Sequence, residues 1–248
     1  MNFAVFDTET TSLDKPFCYN IGYIIGEEKG NILLKRDFVV EQIWHNLPLF
    51  SSAYYADKRL FYVEQMRARR ILLNKFGYIC QQMKRDFKQF SVVCAYAYNS
   101  KFDEKVFDFN CDWFKCINPF EETPIYDIRG NVHQFIVNKS LCEWCEMNNE
   151  FTENGNYSTT AETVFRYINN DKEFSERHTA LADSEIEYQI LLFTFQNGAI
   201  INTEYQTIRS IERKIERELH IQTVEQTDYY FKYQKIRINK GKTEIILK

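Results

Sequence analysis

Glycine and proline are scarce in this chain, with 8 and 4 among 248 residues. So few turn formers beside 16 Tyr and 21 Phe exclude a disordered or low-complexity chain. No apolar run approaches the roughly 20 residues that cross a bilayer. The N-terminus reads as a strand and not as a signal peptide, so no membrane partner is expected and the cytoplasm is the expected location. No internal repeat at solenoid periods is present. An excess of positive charge is also missing. Lys and Arg number 31 against 35 Asp and Glu, a formal net charge of −4, which argues against a protein that coats DNA broadly. No Ser/His/Asp or Cys/His set stands out for covalent catalysis. What remains is a 44% hydrophobic chain able to fill a sizeable core, long enough for one domain of about 200 residues plus an appendage.

The seven cysteines fall at 18, 80, 94, 111, 116, 142 and 145. An odd number in a chain of this kind reads as reduced thiols. Cys111, Cys116, Cys142 and Cys145 superficially suggest a zinc site. The first pair lacks the usual knuckle glycines and the second falls in a helical stretch, so no zinc is expected. His45, His133 and His220 have no ligand partner at useful spacing and read as structural or surface residues.

Residues 6–13, Phe-Asp-Thr-Glu-Thr-Thr-Ser-Leu, carry the strongest chemical signal. An apolar run from Phe3 to Phe6 reads as a buried strand ending in two carboxylates spaced i, i+2. Side chains alternate along a strand, so Asp7 and Glu9 share a face. Burying two such neighbours as anions costs several kcal/mol, and a hard divalent cation offsets that cost. Val92–Tyr98 is a second buried-strand candidate. It leads through Asn99-Ser100-Lys101-Phe102 to Asp103, with a helical pattern after it. His178-Thr179-Ala180-Leu181-Ala182-Asp183 opens a third element, a helix continuing through Ile186, Tyr188, Ile190 and Leu191. Taken singly, His178 could be a surface histidine, Asp103 a turn residue and Asp183 a first-turn Asp favoured by the helix dipole.

Together the three segments resemble the Exo I, Exo II and Exo III motifs of the DEDDh family of 3′→5′ exonucleases, which includes ribonuclease T, oligoribonuclease and the proofreading subunit of bacterial DNA polymerase III. The histidine five residues before the last Asp marks the histidine branch. The resemblance covers about residues 1–195. It implies an α/β ribonuclease H-like fold, a mixed sheet flanked by helices. It also implies that Asp7, Glu9, Asp103 and Asp183 hold two Mg²⁺ (or Mn²⁺) ions, which in such sites sit about 3.5–4 Å apart and clamp the attacking and leaving oxygens. His178 would be the general base. Thr10, Thr11 and Leu13 would meet the terminal nucleotide, and Asn99 and Phe102 would shape the site near the next one. The implied activity is hydrolysis of single-stranded DNA from its 3′ end, releasing nucleoside 5′-monophosphates. The alternatives are an exoribonuclease of the same fold and a non-catalytic relative that binds nucleic acid or a polymerase. A second copy of the chain and a polymerase are the candidate protein partners.

Five residues turn an α-helix by about 500°, which would leave His178 and Asp183 roughly 140° apart on one helix. His178 is therefore expected in the loop before the helix, with Thr179 as its cap. Elsewhere, Asn20–Gly26 and Asn31–Val40 predict a hairpin turning at Glu27–Gly30. Residues 41–59 read as irregular. A helix is expected through Leu72, Phe76, Ile79, Met83, Phe87 and Phe90, a short strand at Ile125–Asp127, and a helix start at Ser158–Glu162. These belong to a domain spanning 1–198.

Residues 199–248 form an extension, expected as a helix striped by Ile208, Ile211, Ile215 and Leu219 and then a hairpin of Tyr229–Ile238 and Thr243–Leu247. Two basic segments, Lys58–Arg70 (expected as one helical stretch) and Lys232–Lys248, read either as phosphate tracks or as solvated faces. The aromatics Tyr229, Tyr230, Phe231 and Tyr233 read either as stacking surfaces for bases or as core.

Overall fold

The computed structural model describes residues 1–198 except Asn138, and the backbone of three strands between 226 and 247. Six strands form one sheet in the order β4-β3-β2-β1-β5-β6. Strands β1 (Asn2–Thr10), β2 (Cys18–Glu27) and β3 (Ile32–Val40) make the expected antiparallel meander, turning at Gly30 with φ +89°. Strand β4 (Leu72–Asn74) pairs in parallel with β3; β5 (Val92–Ala97) joins β1 in parallel, and β6 (Ile125–Asp127) joins β5 likewise. The sheet is mixed and flanked by helices on both faces.

The alternation along β1 decides which helix packs where. Ala4 and Phe6 enter a core with the helices α3 (Arg59–Arg67), α4 (Phe76–Gln89) and α5 (Lys101–Phe114). Phe3 and Val5 face the opposite core, filled by α6 (Ile128–Val137), α7 (Ser140–Asn148), α8 (Ala161–Asn169) and α9 (Ala180–Gln196). Asp7 and Glu9 continue the second series and Thr8 the first.

Three expectations need correction. Residues 41–59 are not irregular, because Glu41–Trp44 and Leu47–Phe50 are short helices and Ala56–Lys58 is a 3₁₀ turn. The helix expected from Leu72 begins at Phe76: Leu72–Asn74 is extended and hydrogen-bonded to β3, a long-range pairing that overrides the local 3–4 spacing. Lys58 to Arg70 is not one helical stretch either, since α3 ends at Arg67 and Arg69 turns left-handed at φ 57°. The helix start at 158–162 is found, with the Thr160 side chain accepting from the Thr163 amide.

In the extension the backbone forms three antiparallel strands, Gln226–Phe231, Gln234–Asn239 and Lys242–Leu247. The expected segment Tyr229–Ile238 is thus split between two strands, while the pairing across 239–242 follows the expected hairpin. The Ile208–Leu219 stripe lies outside the described residues.

Candidate active site

The site is assembled at the ends of β1 and α9. Gly22 sits directly across from Asp7 in the β1–β2 pairing. A Cβ on Gly22 would fall 2.1 Å from the backbone nitrogen of Leu181, so only glycine lets the first turn of α9 press onto the sheet. Ser184 Oγ lies 2.7 Å from the Ala180 carbonyl and 3.1 Å from the Gly22 carbonyl, so its one proton is shared between helix and strand. Asn20, buried opposite Glu9, completes the seat. Its Oδ1 accepts from the Ala180 amide and from the Tyr62 hydroxyl, both at 2.9 Å, while its Nδ2 donates to Asp37 and to the Phe38 carbonyl.

This seating brings Asp183 to the carboxylates of β1. Ligand oxygens of Asp7, Glu9 and Asp183 all lie within 4.8 Å of one another. Burial raises the pKa of each. The Asp103 charge adds to the effect on Asp7, the Asp7 and Asp183 charges on Glu9, and the Asp7 charge on Asp183, which is pushed to about 8. Asp183 Oδ1 is buried and has no hydrogen-bond partner. Three mutually repelling carboxylates with an orphaned oxygen among them are a donor set suited to a hard divalent cation.

Asp103 sits beside this group without joining it. It is buried in the first turn of α5, and its Oδ1 accepts from Thr8 Oγ1 at 2.6 Å. Thr8 projects from the opposite face of β1 to Asp7 and Glu9, which is why the carboxylate it holds is set apart. Burial raises the Asp103 pKa to about 7, with the Thr8 hydrogen bond opposing.

His178 lies in the loop before α9, as the helical geometry requires, in the left-handed region at φ 48°. Its ring stacks on Tyr55 with centroids 4.6 Å apart, and its Nδ1 is 3.6 Å from Glu176 Oε2. Lys58 donates to the backbone carbonyls of Arg177 and His178. Burial and then the Lys58 charge lower the His178 pKa, which favours a neutral imidazole. Thr179 occupies the N-cap position in extended conformation, but its side chain makes no capping bond. The cap role expected of it is not met; Asn20 satisfies the helix's first amide instead.

Of the remaining candidates, Leu13 is 73% exposed on the rim, beside half-buried Thr10. Thr11 is buried and bonds through its amide to the Phe17 carbonyl. Asn99 takes φ 63° and donates its amide to Asp127 Oδ1 at 2.8 Å. Phe102 packs against the α3–α5 core.

Sequence reading missed three acidic residues here. Glu187 is buried one turn after Asp183, accepts from the Tyr98 amide, and has its pKa raised by burial and then by Asp7. Its i, i+4 spacing from Asp183 was the available signal. Glu176 is pushed to about 7 by burial and then by the Asp183 charge, and Asp127 accepts three backbone amides. Their signals were an acid two residues before His178 and an Asp directly before a helix.

No family model and no curated sequence matches the chain. Solved structures do. The nuclease domain of 3'hExo, a DEDDh family member bound to rAMP, superposes with a TM-score of 0.57 at 13% identity, covering 83% of this chain and 97% of that one. The chain has the fold of a DEDDh exonuclease. A 3'-exonuclease described in 3'-end specific recognition of a histone mRNA stem-loop gives 0.57 at 11% identity over 99% and 90% of the two chains. Exonuclease I from Methylocaldum szegediense gives 0.50 at 17%, over 80% of this chain and 41% of its own.

Proposed function

We propose that the protein is a metal-dependent 3′→5′ exonuclease acting on single-stranded DNA ends, with residues 1–198 as the catalytic unit and 199–248 as its extension. The observation that supports this reading is the convergence of Asp7, Glu9 and Asp183 beside His178. Those carboxylates, with Asp103 adjacent, would hold the divalent cations, two Mg²⁺ or Mn²⁺. Bound there, the cations supply charge neutralisation around the phosphodiester and Lewis acidity.

The chain's own residues do the rest. Nδ1 of His178 faces Glu176, which leaves Nε2 to take the proton of the attacking water. Glu176 then stabilises the imidazolium that results. Tyr55 holds the ring plane, and Lys58 fixes the loop behind it while presenting positive charge near Glu9 and Asp183. Exposed Leu13 would pack against a terminal base, with half-buried Thr10 toward the sugar–phosphate and buried Thr11 holding the loop between them. Asn99 and Phe102 hold the turn that carries Asp103.

A second reading, an exoribonuclease, is favoured by two structures of the same fold, one bound to rAMP and one with a histone mRNA stem-loop. A time course on 3′- and 5′-labelled single-stranded DNA, duplex DNA and RNA, with Mg²⁺, Mn²⁺ or EDTA, tests both. Mononucleotide release from the 3′ end that EDTA abolishes is expected, and is lost in Asp183→Asn. Release from the 5′ end, internal cutting, or hydrolysis that survives EDTA would reject the proposal.

A further inference from the structure

On the other face of the sheet from the carboxylates, three sulfurs meet. Cys80 belongs to α4, Cys111 to the last turn of α5, and Cys116 follows that helix. Their Sγ atoms lie within 4.8 Å of one another. We propose that Cys80, Cys111 and Cys116 form a three-thiolate site for a thiophilic divalent cation of the zinc type, separate from the carboxylate site.

Two backbone features build the convergence. Lys115 ends α5 in the left-handed conformation at φ 52°, and Cys116 then donates its amide to the Cys111 carbonyl at 3.0 Å. That reversal folds Cys116 back over the helix end. From the other side, Gly77 opens α4: a Cβ there would sit 3.3 Å from the Cys116 Cβ. Both features serve to bring Cys116 to Cys80.

The spacing suits a metal. Zn–S bonds of about 2.3 Å in a tetrahedron separate sulfurs by about 3.8 Å, so three thiols already within 4.8 Å need only a small contraction. Cys80 and Cys111 are buried and Cys116 is half-buried. Among the described residues no fourth His, Cys, Asp or Glu joins them, which leaves the fourth position to a solvent oxygen on the Cys116 side. Binding releases the thiol protons to solvent. Soft thiolates select against the hard Mg²⁺ that suits the carboxylates, so one chain can sort two kinds of cation. The site would clip the end of α5 to α4, and α5 carries Asp103 at its other end. Cys142 and Cys145, the partners suggested by spacing in the sequence, sit in the opposite core and are no part of it.

The test uses the full-length protein loaded with Zn²⁺, dialysed against a weak chelator and assayed for metal. A parallel sample takes Co²⁺ and is read for the near-ultraviolet sulfur-to-cobalt absorption. About one retained zinc per chain and a clear absorption band are expected. Cys116→Ser, at the half-buried position least needed for folding, should weaken retention by roughly 100-fold or more and remove the band. Cys142→Ser and Asp183→Asn should leave it. The proposal is overturned if no zinc survives dialysis, if the band persists in Cys116→Ser, if it vanishes in Asp183→Asn, or if mass spectrometry finds a disulfide among the three cysteines in the zinc-loaded protein.

Discussion

His178 combines four constraints in one side chain: a left-handed backbone, a stacked ring, a carboxylate at Nδ1 and a lysine bridging the carbonyls behind it. Together they fix an imidazole beside Asp183 and Glu176. His178→Ala should slow hydrolysis by roughly 10²–10⁴-fold while leaving metal binding intact. An unchanged turnover number in single-turnover assays would remove the assigned role. Since its pKa is lowered, the acid limb of the rate profile due to this group should lie below the ordinary histidine range near pH 6.5. The Asp7–Glu9 pair was legible from strand spacing, and the loop position of His178 from helical geometry. Asp183 and His178 as site residues came from the resemblance of the third segment to a family motif, since each alone reads as an ordinary surface residue. Glu176 and Asp127 were passed over: their local partners, His178 and the Arg129 amide, lie only two residues on, but what ties them to the site is the Asp183 charge and the Asn99 and Ser100 amides, which sequence spacing does not show.

At the scale of elements, the seat of α9 on the sheet decides whether the site exists. Gly22→Ala should destabilise the fold by more than about 3 kcal/mol, because the added methyl meets the helix backbone and not a movable side chain. Urea denaturation measures it; an unaltered midpoint would contradict the close approach. Asn20→Leu removes the acceptor of the Ala180 amide and of the Tyr62 hydroxyl, at about 1–3 kcal/mol for each buried group left unpaired. Its activity should fall along with its thermal midpoint, since Asp183 rides on that helix start. Continuous apolar runs made β1 and β5 readable, and alternation the β2–β3 hairpin. It did not reveal β4, three residues whose extended state is set by pairing with β3. Nor could it show that Asn20, an ordinary strand residue by sequence, is the polar hinge of the domain.

For the whole molecule, the buried carboxylates couple pH, cations and stability. Asp183 at about 8, and Asp103 and Glu176 at about 7, bind protons more tightly in the folded state than in the unfolded chain, where carboxylates titrate near 4. Their contribution to stability is complete below about pH 4, declines as pH rises through the window between the unfolded and folded values, and is gone above about pH 8. In EDTA the thermal midpoint should therefore drop across that window. In the proposed site protons and cations would compete for the oxygens of Asp183 and Asp103, so added Mn²⁺ should raise the midpoint more at pH 8.5 than at pH 6. A cation effect independent of pH, or a midpoint in EDTA that climbs through neutrality, would mean that Asp183 and Asp103 are not cation ligands.

The six-stranded sheet ends on both sides in strands of three residues, Leu72–Asn74 and Ile125–Asp127. Each margin offers few unpaired amides for an incoming chain to zip onto. Short rims of this kind leave little edge on which a second chain could extend the sheet, so the broad hydrophobic middle is guarded by brevity at its margins.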